Sequence, residues 1–199
     1  KINTKKTELL FGELFYNLLD NGGRAAVIVP MGVLFSSSNA HLDFRKLLLE
    51  KCSLDAIVYL PGGVFQPYTG VNTAILFFTK GGSTEKVWLY DMENDGFKLD
   101  SNHNEPIKEN DIQDIIKQYP KRGKSKFSHN GEFKSLSITI NDIKENDYNL
   151  SVRRYIDDSV PEEQIDIQEA ANKLDEMKKE RTESEKQMIK DLKELGFKV

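Results

Sequence analysis

Cysteine occurs once in the 199 residues, at Cys52. An internal disulfide is thereby excluded, and the chain fits a reducing, cytoplasmic setting. Histidine is scarce as well: His41, His103 and His129 lie far apart with no cysteine cluster beside them, so no metal-ligand spacing is present and no metal is expected. No apolar run approaches the roughly 20 residues that a membrane-spanning helix needs, so no membrane partner is expected. The opening text KINTKKTELLFGELFYNLLDNG lacks the apolar stretch and small-residue site of a secretory signal. Positive charge is not in excess: 28 Lys and Arg face 32 Asp and Glu, a net charge of -4. This excludes a free-standing nucleic-acid binder that works by bulk electrostatics, and any DNA contact must be local or shared with a partner.

What is present has the rhythm of an α/β protein. Leu9, Leu10, Leu14 and Leu18, with Phe11 and Phe15, recur at spacings of three and four and predict an amphipathic helix over 7–20. Asn21-Gly22-Gly23 ends it, because these residues tolerate the left-handed conformation of a helix terminus. RAAVIVP reads as a strand covered on both faces. A helix over 42–54 and a second buried strand over 55–61 follow, which predicts a parallel pair joined by a crossover. TAILFFTK, residues 73–80, is a third strand, and the Gly81-Gly82-Ser83-Thr84 turn into KVWLYDM predicts an antiparallel hairpin at the sheet edge. A short helix is expected over 111–117, a loop over YPKRGKSKFSHNGEF, and ordered structure again around Leu136, Ile138 and Ile140.

From Pro161 the chain is charge-rich and helical in pattern. Ile167, Ala170, Leu174, Met177, Met188 and Leu195 form an apolar stripe that Arg181 and Ser184 interrupt. Two readings stand side by side: a helix that packs on a partner surface, and a solvated helix that folds back on its own domain.

Topology says where a site belongs. Parallel strands over 25–29 and 55–60 put the loops PMGVLFSSSNAH and PGGVFQPYTGVN at the carboxyl rim of the sheet, where open α/β sheets bind ligands. The second of these loops combines glycines, which permit unusual backbone, with Pro61 and Pro67, which stiffen it. Either it presents Phe65 or Tyr68 as a flat face beside Thr69, Asn72 and Thr73, or its aromatics simply cap the core. Lys121, Arg122, Lys124 and Lys126 lie within six residues with no acid among them. They are candidates for phosphate contacts, or they are a solvated basic loop.

GRAAVIVPMGVLF, LPGGVFQPYTGVNTAILFFTK, VWLYDMENDGFKLD and DYNLSVRRY occur in an order and spacing that resembles the modification subunit of type I restriction-modification systems, a family of adenine-N6 DNA methyltransferases. The match covers residues 7–157. The resemblance implies the carboxyl-terminal half of a Rossmann-like, S-adenosylmethionine-dependent methyltransferase sheet over residues 1–157, parallel strands plus an antiparallel hairpin. It implies a helical tail over 158–199 that docks a specificity subunit. It also implies base flipping, in which an adenine is rotated out of the duplex and held by stacking and edge contacts. Phe65 then corresponds to the stacking ring, with Tyr68 as the alternative, and Pro30, Gly63, Thr69, Gly70, Asn72 and Thr73 belong to the pocket loop. Implied partners are DNA, the specificity subunit and, in some systems, a restriction subunit.

The departures bound the expectation. The family holds the reacting amine with an Asn-Pro-Pro-aromatic tetrapeptide and binds its methyl donor at an early glycine-containing strand-loop, and neither is in this sequence. No Asn-Pro dipeptide occurs at all, and there is no initiator methionine. The expectation is therefore a part of a larger subunit, without catalytic residues, inactive alone and not binding S-adenosylmethionine tightly. An exposed strand edge and apolar face at the break predispose it to self-association. A non-catalytic interaction module that scaffolds a specificity subunit is the competing reading.

Overall fold

A computed structural model describes residues 2–124, 134–155, 177–178, 181–186 and 188–191. The chain divides into two units, residues 1–158 and 159–199. In the first, α1 (Thr7–Leu18) leads to β1 (Arg24–Pro30), a single turn α2 (Gly32–Phe35), α3 (Asn39–Lys51) and β2 (Cys52–Leu60). Next come β3 (Thr73–Lys80), β4 (Lys86–Asp91), β5 (Asp95–Phe97), β6 (Pro106–Asn110), α4 (Ile112–Gln118), β7 (Ser135–Thr139) and α5 (Ile140–Glu145). Tight 3-10 turns occupy Tyr119–Lys124 and Val152–Arg154.

The α/β class agrees with the sequence reading, but the strand order corrects three details. The main sheet runs β1-β3-β2-β4-β7. β1 and β2 point the same way yet are not neighbours, because β3 lies antiparallel between them. β3 and β4 form no hairpin: β3 pairs antiparallel with β1 and with β2, from which it follows through the long loop 61–72, while β4 pairs parallel with the far side of β2. β3 is thus an internal antiparallel strand, and the antiparallel edge is β7, which pairs with β4. The physical reasons are visible in the residues. β3 is apolar on both faces, with Ala74, Leu76 and Phe78 in one core cluster and Ile75 and Phe77 packed on the other. Thr84 pins the turn beneath β2, its hydroxyl donating to the Cys52 carbonyl at 3.0 Å and accepting from the Leu54 amide at 2.9 Å. β4 is thereby delivered across β2.

The third correction concerns β1, which is covered on one face only. Its burial alternates, and Ile28 is 53% exposed. Ala25, Val27 and Val29 pack into the first core cluster with α1, α3 and Leu9. Gly12 brings α1 close to α3, for a Cβ there would stand 2.4 Å from the Phe44 ring. The rest of α1's apolar stripe, Leu10, Phe11, Leu14, Phe15 and Leu18, is exposed. Among the described residues nothing pairs with the outer edge of β1.

β5 and β6 form a separate two-stranded hairpin. α5 starts with a capping box in which Thr139 and Asp142 satisfy each other's backbone amides. In the second unit Arg181 pairs with Glu185 at 3.1 Å one helical turn on, and Met177 and Met188 are exposed. Ile167, Ala170, Leu174 and Leu195 of the expected stripe lie outside the described residues. Among the described residues no helix is long and apolar enough to cross a membrane.

Candidate functional site

Strand register assembles the site. Pro30 of β1 and Leu60 of β2 flank Thr73 of β3 from either side, and Asp91 closes β4 next to Tyr59. β1, β2 and β4 end and β3 begins at this one rim, which carries loop 61–72. Above it opens a cavity of about 670 Å3, lined among others by Met31, Phe35, Pro61, Asn72, Asp91 and Ser151.

Loop 61–72 is a chain of small turns. The Phe65 carbonyl accepts from the amides of Tyr68 at 2.9 Å and Thr69 at 3.1 Å, and the Gly63 carbonyl accepts from Gln66 at 3.0 Å. The Gln66-Pro67 peptide is cis. Gly63 has φ +103° and packs against Leu99 of the β5–β6 hairpin, so an L side chain there would be strained. Gly62 lies under Asn72, with only 2.5 Å between its missing Cβ and Asn72 Oδ1. The Asn72 carbonyl accepts the Met31 amide at 3.0 Å and ties the loop's end to the end of β1.

Within this frame the expected residues take different stations. Phe65 is half-buried and packs with Val64 on the second core cluster, away from the lining of the large cavity. Tyr68 is 93% exposed. The Thr69 hydroxyl accepts the Val71 amide at 3.2 Å, and Gly70 passes close to the Gln66 amide. Asn72 lines the cavity. Thr73 is 8% exposed and its hydroxyl has no hydrogen-bond partner among the described residues.

Of the basic segment, Arg122 does not line the cavity at this rim. Arg122 stacks on the Tyr119 ring at 4.5 Å and donates to the Tyr119 carbonyl at 3.2 Å. It lines a different cavity, about 380 Å3, with Ser53, Asp55, Glu85 and Lys86 from the opposite ends of β2 and β4. Lys121 is exposed; Lys126 and the side chain of Lys124 lie outside the described residues.

Sequence reasoning missed the clasp beneath the cavity. Arg45 of α3 donates to the carbonyls of Val33 at 2.9 Å and Tyr148 at 2.7 Å. Burial pulls its guanidinium below the ordinary arginine value. The Leu150 amide donates to the Leu34 carbonyl at 2.9 Å, and the Leu150 carbonyl accepts the Tyr59 hydroxyl. Complete burial pushes the Tyr59 phenol well above the ordinary tyrosine value, which keeps it a neutral donor. The Tyr155 hydroxyl donates to the Asn149 carbonyl, and burial raises its pKa to about 12. DYNLSVRRY is thus a strap that seats Ser151 and Val152 at the cavity wall. One signal pointed there: Arg45 interrupts the apolar stripe of Phe44, Leu48 and Leu49 on α3.

The family model of the N-6 DNA methylases matches residues 1–164. The chain is 38% identical over 154 residues to the EcoEI type I restriction enzyme methylase subunit of Escherichia coli, covering 77% of this chain and 31% of that one. It is 41% identical over 98 residues to the EcoKI methylase subunit of Escherichia coli strain K12, covering 45% and 18%. Among solved structures, a chain of a type I R-M system complex aligns with a TM-score of 0.62 at 26% identity, over 96% of this chain and 40% of that one. A type I methyltransferase subunit from Streptococcus thermophilus aligns with a TM-score of 0.56 at 30% identity, over 72% and 28%. The chain spans less than a third of the length of these two curated relatives. With the family model accounting for the sheet, the rim loop and the strap together, this chain belongs to the N-6 DNA methylase family, and within it is similar to type I modification subunits.

Proposed function

We propose that this chain supplies the target-base side of an adenine-N6 DNA methyltransferase, as the carboxyl-terminal part of a type I modification subunit. The intact enzyme, on this reading, moves a methyl group from S-adenosylmethionine to adenine N6 in DNA. The observation that carries it is the convergence at one rim: Pro30, Leu60 and Thr73 share a row, and the loop bearing Phe65 closes beside them. A stacking ring needs one face backed and one face open, and a half-buried Phe65 packed on the second core cluster meets that need. Stacking a base on an aromatic contributes about 1–3 kcal/mol, enough to offset much of the few kcal/mol that extrusion costs. Tyr68 remains the alternative ring. Gly63, Thr69, Gly70 and Asn72 hold the loop, and Lys121, Arg122, Lys124 and Lys126 stand either as phosphate contacts or as a solvated basic loop.

S-adenosylmethionine supplies the electrophilic methyl group when bound to the intact enzyme. The residues here do not fit its cradle, because every Gly-Gly pair serves elsewhere: Gly22-Gly23 after α1, Gly62-Gly63 in the rim loop, Gly81-Gly82 between β3 and β4. The Asn-Pro-Pro-aromatic acceptors that would favour the attacking geometry of the amine are absent from the sequence. The chain alone is therefore expected to neither bind the donor tightly nor methylate DNA. Residues 1–157 form the incomplete methyltransferase domain, residues 158–199 dock a specificity subunit, and the setting is the cytoplasm.

Two measurements on the 199-residue chain test the reading. Isothermal titration with S-adenosylmethionine is expected to show no micromolar binding; clear binding would refute the division of labour. NMR titration with adenosine is expected to shift resonances of loop 61–72 and to lose that effect in Phe65→Ala.

A second reading, a non-catalytic module that scaffolds a specificity subunit, is favoured by the uncovered face of α1 and the open edge of β1. Intact-mass measurement of the native protein separates the two: a mass that includes an upstream Asn-Pro-Pro-aromatic segment supports the enzyme.

A further inference from the structure

Thr73 is an anomaly in its own strand. Alternation along β3 puts Ala74, Leu76 and Phe78 in the first core cluster and Ile75 and Phe77 against the second, so Thr73 faces the second. Its cross-strand partner Leu60 belongs to that same cluster, as opposed residues of an antiparallel pair must. The side chain is 8% exposed, and its hydroxyl is the buried side-chain polar atom that finds no partner among the described residues. A valine fills the same volume without stranding a hydroxyl, so the threonine is a net cost to the fold unless something from outside reaches it.

Its surroundings say what that something is. Thr73 stands in the last row of the sheet, between Pro30 and Leu60, at the mouth rather than in the depth. Val64 and Phe65 pack on the same face of the sheet. A ligand that suits this place has a flat apolar ring for Phe65 and a polar edge for a single hydroxyl, and a purine base has both. A hydroxyl can donate to a ring nitrogen or accept from an amine.

We propose that Thr73 Oγ1 is the hydrogen-bonding contact that reads the edge of the extruded adenine stacked on Phe65, a specificity-determining residue of the target-base pocket. This rests on the base-pocket reading above, and the two fail in different ways.

The test uses the full 199-residue chain with adenosine as the probe, read by NMR titration and thermal unfolding. Thr73→Val is expected to raise the midpoint of unfolding, since it removes an unpartnered hydroxyl, and to weaken adenosine binding on the order of tenfold, the weight of one hydrogen bond. Thr73→Ser is expected to keep adenosine binding near the parent's. A Thr73→Val chain that binds adenosine as the parent does, while Phe65→Ala does not, overturns the assignment of Thr73 and leaves the stacking pocket standing. A lowered midpoint in Thr73→Val also overturns it, because the hydroxyl then has an internal partner. A parent chain in which adenosine moves no loop resonance sinks the pocket reading, and this proposal with it.

Discussion

Arg45 Nε lies 2.7 Å from the carbonyl oxygen of Tyr148, 103 residues further along the chain. Arg45 is 2% exposed and its Nη1 donates to the Val33 carbonyl as well. One planar fork thus joins α3, the loop after β1 and the carboxyl-terminal strap. Lysine carries charge but not the fork. Arg45→Ala is expected to destabilise the first unit by about 3 kcal/mol or more, since each hydrogen bond to a charged group is worth about 1.5–3 kcal/mol. Arg45→Lys should recover only part of that loss. Urea unfolding followed by Trp88 fluorescence measures both; equal stability of Arg45→Ala and the parent would show the clasp to be idle.

Gly63 is where the rim loop depends most on its backbone. A non-glycine residue held at φ +103° costs on the order of 1–3 kcal/mol, and the contact with Leu99 leaves the loop no easy way to shift. Gly63→Ala should lower the unfolding midpoint and blunt the response of loop 61–72 to adenosine. Gly32, whose Cβ direction is open, is the control position. Similar losses at both positions would count against a special role for the backbone at Gly63.

Asp111 and Lys134 make the acid response predictable. Asp111 accepts from the amides of Glu93 at 2.8 Å and Asn94 at 3.0 Å, and from Lys134 at 2.9 Å. Burial pushes its pKa up, but the Lys134 ammonium and the backbone amides outweigh that, and the net shift is downward. A depressed folded pKa means that the contribution is fully present above the ordinary aspartate value of about 3.9 and is lost as pH falls through the lower folded value. Asp111→Asn should therefore be less stable than the parent at neutral pH, with the gap closing only at strongly acidic pH. A gap that stays constant down to that range would contradict the linkage.

The open side of the sheet should show in solution. Phe11 and Leu18 on α1 are 57% and 72% exposed, and among the described residues nothing pairs with the outer edge of β1. Contiguous apolar surface and a free strand edge promote association. Sedimentation velocity is expected to show concentration-dependent self-association, relieved in the double variant Phe11→Lys and Leu18→Glu. An unchanged distribution would assign the association elsewhere.

The tail carries the last expectation. Truncation after Val160 should abolish assembly with a specificity subunit in co-purification, and retained assembly would remove the docking role from residues 161–199.

Much of this molecule is legible in one dimension. The helices, the three apolar strands and the rim loop appear close to where periodicity and glycine put them, because those signals are local. α3 and β2 come a few residues early, since Leu54 is recruited into the strand by the buried Thr84 hydroxyl. The pairing of the strands was not legible: a turn such as Gly81-Gly82-Ser83-Thr84 looks the same whether the chain folds back on its neighbour or passes beneath another strand. The site was half legible. Phe65 and Thr73 are in the stretch LPGGVFQPYTGVNTAILFFTK that the sequence resemblance rests on, but the sequence did not reveal that one ring is backed by core or that one hydroxyl is stranded.

By itself, then, the sequence determined the α/β class, the family, and the absence of any Asn-Pro-Pro-aromatic tetrapeptide from these residues, for these depend on residue types and their spacing. Only the tertiary structure decided that β3 lies between β1 and β2, that Arg45 holds the strap beneath the rim, and that Arg122 sits at the opposite end of the sheet from Phe65. Those facts depend on which distant groups meet. Burial and hydrogen bonding choose among such meetings only once the whole chain is packed.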